Sequence, residues 1–396
     1  MRILHTADWH LGRTLEGRSR HEEQAAVLDE MCRLADEERV NVILMAGDVY
    51  DSYNPPAASV ALFYETMKRM SAGGKRPILV ISGNHDSPER IEAVSPLAES
   101  HGITLVGRPV SSAVRLPLPA CAGELIVAAV PYPSESRLNE CLSDMNEEEQ
   151  IQKAYDERLA GLFQQLAGAF RPDAVNLVMS HLFIAGGKES DSERPIQVGG
   201  AYTVTPASLS VGAHYIALGH LHRPQSLKGF DAPARYAGSP LAYSFSEANQ
   251  PKSVTIIDVE PGKAAAVSEV YLSAGKPLVK WRAQNGLDEV YRWLDEGRDR
   301  NAWVDLEIIL SDALALRDIQ ELRRRHPGII HIRPIFLTEE EKAERARIDK
   351  MPLDAVFRRF YKKQTGGAEP DQSLVELFLD LVKEVDEEGD GADAAD

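Results

Sequence analysis

Short apolar runs alternate with helical patterns through the first part of the chain. Residues 2–7, 42–46 and 78–81 have the length and apolar content of short buried strands. Between them, apolar residues recur at helical spacing within residues 27–35, and a second helix is predicted over residues 56–70, after an Asn-Pro-Pro sequence. The order strand, helix, strand, helix, strand predicts an α/β sheet with short connections.

More strands are predicted further along the chain. They cover residues 103–106, 125–130, 175–180 and 215–218. From residue 219 to residue 272 the pattern changes to short strands joined by turns, without a strong helix. We therefore expect residues 1–273 to form one α/β domain in which sheets are flanked by helices.

The remainder of the chain divides into three segments. Residues 274–337 repeat the order strand, helix, strand, helix, strand and predict a small α+β domain. Residues 338–383 are highly charged at first and then predict two short helices, each with one apolar stripe, around Phe357 and Phe378. Residues 384–396 hold seven carboxylates and no lysine or arginine, which predicts a disordered acidic tail.

Composition narrows the class of protein. Hydrophobic residues make up 43% and charged residues 27% of the 396 residues, as in soluble globular proteins. We see neither an apolar run near the roughly 20 residues of a membrane-spanning helix nor a secretory signal, so we expect a cytoplasmic protein that does not bind membranes. The three cysteines are widely spaced, which favours reduced thiols. The net charge of −17 means that a polyanionic substrate has to be attracted locally, by metal ions or clustered cations.

Five polar clusters each follow a predicted strand, and they begin at Asp8, Gly47, Gly83, His181 and Gly219. Ligands bind at the carboxyl ends of the strands in an α/β sheet, so these distant clusters can converge on one pocket. Carboxylates, an amide oxygen and imidazoles without a thiolate are typical of a hard-to-borderline metal site. Each cluster alone has an ordinary explanation as a turn or a surface pair. Together they contain five of the 11 histidines, and this favours a shared metal site.

The clusters resemble the signatures of the calcineurin-like metallophosphoesterase superfamily and, within it, of the double-strand-break-repair nuclease family. The matching segments are DWHLG, GDVYD, GNHD, SHLF and GHLHRPQ, at residues 8–12, 47–51, 83–86, 180–183 and 219–225. The resemblance covers nearly the whole chain. It implies an α/β metallophosphoesterase sandwich of two sheets flanked by helices, with a small α+β capping domain and C-terminal amphipathic helices.

The resemblance also implies two divalent metal ions. The resemblance implies three ligands for each ion and one carboxylate that bridges the two ions. Asp8, His10 and His222 would bind one ion, Asn84, His181 and His220 would bind the other, and Asp48 would bridge them. His85 would protonate the leaving oxygen or steady the pentacoordinate phosphorus, and Asp51 would orient His85. A turn or helix-entry role explains Asp51 equally well. Mixed oxygen and nitrogen ligands suit Mn²⁺, with iron or zinc as alternatives.

The activity that the resemblance implies is that of a DNA nuclease, a 3′ to 5′ exonuclease on duplex ends and an endonuclease on single strands or hairpins. It would work in DNA repair, recombination and replication with an SbcC-type ATPase, bound by the C-terminal helices, as a homodimer within a heterotetramer. The chain has no phosphate-binding GxxxxGK[ST] motif, so any ATP dependence has to come from that partner.

Alternatives remain at this point. The two C-terminal helices could dock on their own chain instead of on a partner. The enzyme could be a metallophosphoesterase for nucleotides or cyclic nucleotides, which an acidic surface would suit. A scaffold with a degenerate site is the third reading, and it is weakened because every expected ligand position is filled.

Overall fold

The computed structural model describes residues 1–118, 123–138, 148–194, 202–310, 313–336, 351–365 and 367–390. It divides the chain into two compact units. The first comprises Met1–Trp281, Gly297–Asp305 and His326–His331, and the second comprises Arg282–Glu296, Leu306–Arg325 and Ile332–Asp396. The domain boundaries predicted from the sequence at residues 273 and 337 stay predictions.

The first unit contains a six-stranded sheet that begins at the N-terminus. In spatial order its strands are β14 (Ala266–Tyr271), β13 (Ser253–Asp258), β1 (Arg2–Thr6), β4 (Val42–Ala46), β5 (Ile78–Ile81) and β6 (Ile103–Val106). The last four run parallel, and β13 pairs antiparallel with β1. Every residue of β4 and β5 is buried, which explains why these strands are continuous apolar runs in the sequence.

A second six-stranded sheet packs against the first. Its strands in spatial order are β11 (Gln225–Leu227), β12 (Ala234–Tyr236), β10 (Tyr215–Gly219), β9 (Val175–His181), β8 (Gly123–Val130) and β7 (Val114–Leu118). The four central strands are parallel. Leu44 and Leu79 of the first sheet share one buried cluster with Leu177 and Met179 of the second. The predicted α/β sandwich of two sheets is confirmed.

Helices cover the outer faces of the sandwich. They are α1 (His21–Glu37), α2 (Ala57–Met70), α3 (Pro88–Glu92), α4 (Ser95–Glu99), α5 (Glu135–Leu138), α6 (Glu148–Ala167) and α7 (Pro206–Leu209). Helices α1 and α2 pack on the first sheet, and α6 packs on the second. The sequence analysis did not name α6, although Tyr155, Leu159, Leu162 and Phe163 have helical spacing. Shorter elements are a hairpin of β2 (Thr14–Leu15) and β3 (Arg18–Ser19) and a 3₁₀ helix at Phe245–Glu247.

A three-stranded sheet follows in the chain. Its strands lie in the order β15 (Leu278–Ala283), β16 (Trp303–Leu310) and β17 (Ile329–Phe336), with α8 (Leu287–Asp295) and α9 (Leu316–Arg325) between them in sequence. The order strand, helix, strand, helix, strand predicted for this segment is confirmed. The sharp apolar stripe of each helix and the high β-branched content of the strands account for this.

The chain ends in two further helices, α10 (Leu353–Gln364) and α11 (Gln372–Asp390). The rings of Phe357 and Phe378 stack with their centroids 4.3 Å apart and join the two helices. Helix α11 continues past residue 383, whereas a disordered tail was predicted from residue 384, and residues 391–396 lie outside the described residues.

Two smaller findings bear on the sequence analysis. Cys32 is a buried free thiol, whereas Cys121 and Cys141 lie outside the described residues. Within the described ranges, none of the helices combines the length and the apolar content needed to cross a bilayer.

Candidate metal centre

The side chains predicted as metal ligands all lie at the carboxyl ends of central strands. They follow β1, β4, β5, β9 and β10, and their residues are 0% to 7% exposed: Asp8, His10, Asp48, Asn84, His181, His220 and His222. The register of the parallel strands brings these ends to one edge of the sandwich. Carboxylates and imidazoles buried together are expensive unless they are paired or bind a cation.

Asp48 lies between two pairs of ligand atoms. His10 Nε2 is 2.9 Å from His222 Nε2, and Asn84 Oδ1 is 2.8 Å from His181 Nε2. Asp48 Oδ2 is 3.5 Å from His10 Nε2 and 3.4 Å from His181 Nε2. The structure therefore gives Asp48 the central position that a bridging carboxylate needs.

Asp8 and His220 complete the cluster. Ligand atoms of Asp8, His10 and His222 lie within 4.8 Å of one another, as do those of Asp8, Asp48 and His181. The His220 ring contacts the His181 ring, with the centroids 5.5 Å apart. All seven predicted ligands are thus brought together.

The donor atoms fit divalent cations. Two ligand atoms bound at right angles to one cation, each about 2.1 Å from it, lie about 3.0 Å apart, close to the separations of the two pairs. Among the described residues, His220 Nε2 and Asn84 Nδ2 are buried without a hydrogen-bond partner. A lone pair left unpaired in such a site is costly, and a cation would satisfy that of His220 Nε2.

The ionisation of the cluster also suits a cation. Burial lowers the pKa of His10 to about 3 and lowers those of His220 and His222, which keeps these imidazoles neutral, as metal ligands must be. Burial opposes the charge on His181 and Asp48, but their closeness raises the pKa of His181 to about 9 and holds that of Asp48 well below its usual range. A cation beside Asp48 would favour the same carboxylate and displace the proton of His181.

Four of the predicted ligands have backbone angles that are rare outside glycine. The φ angles are 55° at Asp8, 43° at His10, 51° at Asp48 and 107° at His220. Such conformations cost about 1–3 kcal/mol each and persist only where surrounding contacts enforce them. Here Asp8 N donates to Gly47 O at 3.0 Å, and His10 N donates to Asp48 O at 3.0 Å. The surrounding contacts therefore hold these residues in strained backbone conformations, and the same conformations orient the ligand side chains.

His85 lies beside the cluster and is held by the backbone of Asp51. His85 Nδ1 is 2.7 Å from the Asp51 carbonyl oxygen, while the Asp51 carboxylate is 3.9 Å from that nitrogen. The carboxylate is closer to Arg13 Nη1, at 3.4 Å, and to His10 Nδ1, at 3.5 Å. Burial raises the pKa of Asp51, but His10 and Arg13 outweigh it and hold that pKa below its usual value. The contact that orients His85 thus comes from the main chain of Asp51.

Arg137 clamps the turn that carries Asn84 and His85. Its guanidinium donates to Gly83 O at 3.0 Å and to Asp86 O at 2.7 Å, at the two ends of the turn. Inside the turn, the buried Asp86 carboxylate accepts from three backbone N–H groups. The sequence analysis missed Arg137, because no motif surrounds it and only the folded chain brings it to this turn.

Comparisons with known proteins fit this site. Residues 1–224 match the family described as calcineurin-like phosphoesterase, and residues 275–365 match the family described as type 5 capsule protein repressor C-terminal domain. The chain is 54% identical over 388 residues to the SbcD subunit of the nuclease SbcCD from Bacillus subtilis (strain 168), covering 98% of this chain and 99% of that protein.

Two more similarities are weaker. The SbcD subunit of the nuclease SbcCD from Staphylococcus epidermidis (strain ATCC 12228 / FDA PCI 1200) is 29% identical over 385 residues, covering 97% of each chain. Among solved structures, a dimetal phosphatase from Danio rerio is 15% identical, with a TM-score of 0.41, over 69% of this chain and 99% of that chain. A likeness this low establishes no common function.

Proposed function

The chain belongs to the calcineurin-like phosphoesterase family and to the family of SbcD nuclease subunits, and on that premise we propose that it is a two-metal DNA nuclease subunit. Family membership makes it a metal-dependent phosphoesterase. The observation that carries the proposal is the cluster of seven buried oxygen and nitrogen ligands with Asp48 at its centre and His85 beside it.

In this proposal the ligands form two sets that share one carboxylate: Asp8, His10 and His222; Asn84, His181 and His220; and Asp48. Two divalent cations, Mn²⁺ in our proposal, supply Lewis-acid stabilisation of the phosphoryl oxygen and a bound water of lowered pKa. Asp48, between the two sets, offers one carboxylate to both. The neutral imidazoles of His10 and His220 offer lone pairs without a competing proton.

His85 is our candidate for the general acid. The Asp51 carbonyl accepts the Nδ1 proton at 2.7 Å, so Nε2 is the atom left to hold a proton for the leaving oxygen. The His85 side chain is 11% exposed, in contrast to the 1% of His10, and a substrate oxygen can therefore approach it. Arg137 keeps its loop in place through Gly83 and Asp86.

The finer activity is also a proposal. We assign 3′ to 5′ exonuclease action on duplex ends and endonuclease action on single strands or hairpins, in cytoplasmic DNA repair, recombination and replication. The names of the two SbcCD relatives support a nuclease.

We propose an SbcC-type ATPase as the partner, bound by α10 and α11, in a heterotetramer built on a homodimer of this chain. Four large apolar side chains on these helices are 45% to 59% exposed: Leu353, Phe360, Leu377 and Leu381. Large exposed apolar side chains in one short segment are typical of an interface. In the same proposal residues 1–273 are the nuclease domain and residues 274–337 cap it.

One experiment tests the activity directly. Purified protein is incubated with end-labelled hairpin DNA and, in parallel, with a chromogenic phosphodiester, in Mn²⁺ and in chelator. We expect both substrates to be cleaved in Mn²⁺ and neither in chelator. Turnover of the small ester alone would favour the metallophosphoesterase for small substrates, and cleavage in chelator would contradict the metal mechanism.

A second experiment tests the partner. Deletion of the chain from residue 338 onward should leave cleavage of the chromogenic ester intact and abolish binding of the ATPase. Binding equal to that of the full chain would refute the assignment of α10 and α11.

A further inference from the structure

A chain of buried polar groups extends from His222 away from the other ligands. His222 Nδ1 is 2.5 Å from Ser192 Oγ, which is 2.6 Å from Glu247 Oε1. The other oxygen of Glu247 binds Lys252 Nζ, which also donates to the His222 carbonyl at 2.9 Å. All four residues are at most 8% exposed. Neither the motif analysis nor the proposed function gives a role to Ser192, Glu247 or Lys252.

The charged groups of Lys252 and Glu247 set the direction of the hydrogen bonds that lead to His222. Lys252 can only donate, and Glu247 beside it is a carboxylate that can only accept. Glu247 Oε1 also accepts from the backbone N–H of Tyr243 at 2.9 Å. Ser192 Oγ also lies 2.8 Å from Ser190 Oγ, but a carboxylate is the stronger acceptor, so the single hydroxyl proton of Ser192 goes to Glu247 at 2.6 Å. Ser192 Oγ is left as an acceptor toward His222, so the proton of the neutral His222 imidazole lies on Nδ1.

This direction determines what His222 offers to the cluster. A neutral imidazole with its proton on Nδ1 carries its lone pair on Nε2. Nε2 is the atom 2.9 Å from His10 Nε2, at the edge where the other ligands meet. We propose that Ser192 and Glu247 are positioning residues that fix His222 in the Nδ1-protonated tautomer and thereby make its Nε2 a metal ligand. The metal part of this inference rests on the proposed function.

A comparison with His181 explains why two residues are needed. His181 Nδ1 lies 2.9 Å from the carbonyl oxygen of Ala46, and a carbonyl can only accept. A hydroxyl can donate or accept, so Ser192 alone would allow either tautomer of His222. Glu247 removes this freedom because it takes the serine proton. The carboxylate thus acts on the imidazole through the serine.

Backbone contacts hold Ser192 in place. Its carbonyl accepts from Arg13 Nη2 at 2.7 Å. The next residue, Glu193, accepts from the backbone N–H of His222 at 2.8 Å. The segment is therefore tied to His222 at two points, through Ser192 Oγ and Glu193 Oε1. Such outer partners of ligating histidines typically change metal affinity 10- to 100-fold when they are removed.

The test is nitrogen NMR of the full chain labelled with ¹⁵N-histidine, in chelator, with His222 assigned from its substitution. We expect His222 to be protonated on Nδ1 in the natural chain. Ser192→Ala and Glu247→Gln should both shift the population toward the Nε2-protonated form. Ser192→Thr, which keeps the hydroxyl, should retain the natural tautomer. Protonation of His222 on Nε2 in the natural chain would overturn the proposal without any substitution.

A matched pair of controls comes from Glu30, another carboxylate that accepts from a serine. Ser273 Oγ donates to Glu30 Oε1 at 2.7 Å, and Glu30 Oε2 accepts from the backbone N–H of Ala274. Ser273→Ala and Glu30→Gln should leave the His222 tautomer unchanged. A shift in these controls equal to that in Ser192→Ala would overturn the specific role of Ser192.

Titration with Mn²⁺ alone gives the second readout. Ser192→Ala should weaken one of two binding events about 10- to 100-fold and leave the other unchanged. Unchanged tautomer and unchanged Mn²⁺ affinity in Ser192→Ala would refute the inference even if DNA cleavage is found. The expected tautomer together with absent DNA cleavage would refute the proposed nuclease and leave the inference standing.

Discussion

The ligand cluster around Asp48 buries polar side chains, whereas the helix pair α10 and α11 exposes apolar ones. The cluster hides seven polar side chains, none more than 7% exposed. The helix pair leaves large apolar side chains in the open, with Phe360 59% exposed and Leu377 56% exposed. Both arrangements are unfavourable for an isolated chain in water.

The difference indicates two kinds of binding partner. Buried carboxylates and imidazoles are stabilised by cations, whereas exposed apolar residues are stabilised by another apolar surface. Within the helix pair, Val375 is 1% exposed and Phe357 stacks on Phe378, so the helices do cover part of their apolar stripes. What they leave uncovered is the part that we assign to the partner.

The largest effect is expected from a substitution that removes the proposed proton donor and leaves the metal ligands in place. His85→Ala should lower the rate of DNA cleavage about 10²- to 10⁴-fold, the usual contribution of a general acid. Metal content should stay unchanged, because the Asp51 carbonyl accepts from His85 Nδ1 and His85 is not one of the seven proposed ligands. Cleavage rate and bound metal are measured on the same sample, with the exposed His101→Ala as control. Cleavage within tenfold of the natural rate would remove His85 from the mechanism.

The second prediction tests how tightly the cluster is packed. A Cβ at Gly83 would lie 2.0 Å from Asp48 Oδ1 and 2.3 Å from Asp48 N, so Gly83→Ala should destabilise the fold by about 2–3 kcal/mol. The control is Gly161→Ala in α6, where nothing lies within 4 Å and the better helix former should stabilise the fold by up to about 1 kcal/mol. Denaturant unfolding measures both. Equal free energies of unfolding for the two variants would show that the residues around Gly83 move to make room for a Cβ more easily than these distances imply.

The third prediction concerns the helix pair. Phe360→Asp should change the free energy of unfolding by less than about 0.5 kcal/mol, since the ring is already in water. Binding of the ATPase partner should weaken at least about tenfold. Tyr271→Asp is the matched control, because that ring is 62% exposed on strand β14. If both variants bind the partner equally well, the exposed stripe is not the interface.

The smallest effect is a dependence of stability on pH from a buried histidine outside the cluster. Burial, with help from Arg235, lowers the pKa of His5 from 6.5 to about 3. Between these pH values the unfolded chain binds one proton more, so this part of the stability is complete above pH 6.5 and is lost as the pH falls. His5→Gln should reduce the slope of unfolding free energy against pH by up to about 1.4 kcal/mol per unit. Tyr215→Phe, which keeps the histidine, should retain the slope.

Much of the first unit could be predicted from its sequence, for a physical reason. Strands such as β4 and β5 are buried on both faces, so they are apolar runs, and the polar residues that follow them are conspicuous. This is why Asp48 and Asn84 could be placed at one sheet edge. The division into two sheets came only with the resemblance to a family, and the order of the strands came only with the structure.

Other parts of the site depend on contacts that no local pattern encodes. Arg137, Ser192 and Glu247 lie in segments without a metal-type motif, and each acts through a partner far away in the chain. The positive φ angles at Asp8 and His220 were also unexpected, because few residues other than glycine adopt them and no local sequence pattern marks these two. For Asp51, the resemblance implied that the carboxylate orients His85, whereas in the structure the closer contact comes from the Asp51 carbonyl.

The central claim is most directly tested by a crystal of the full chain grown with Mn²⁺ and measured at the manganese absorption edge. The account predicts two anomalous peaks inside the cluster, with the Asp48 carboxylate between them, His10 and His222 at one peak, and Asn84 and His181 at the other. A single peak, peaks elsewhere on the chain, or none within the cluster would contradict it.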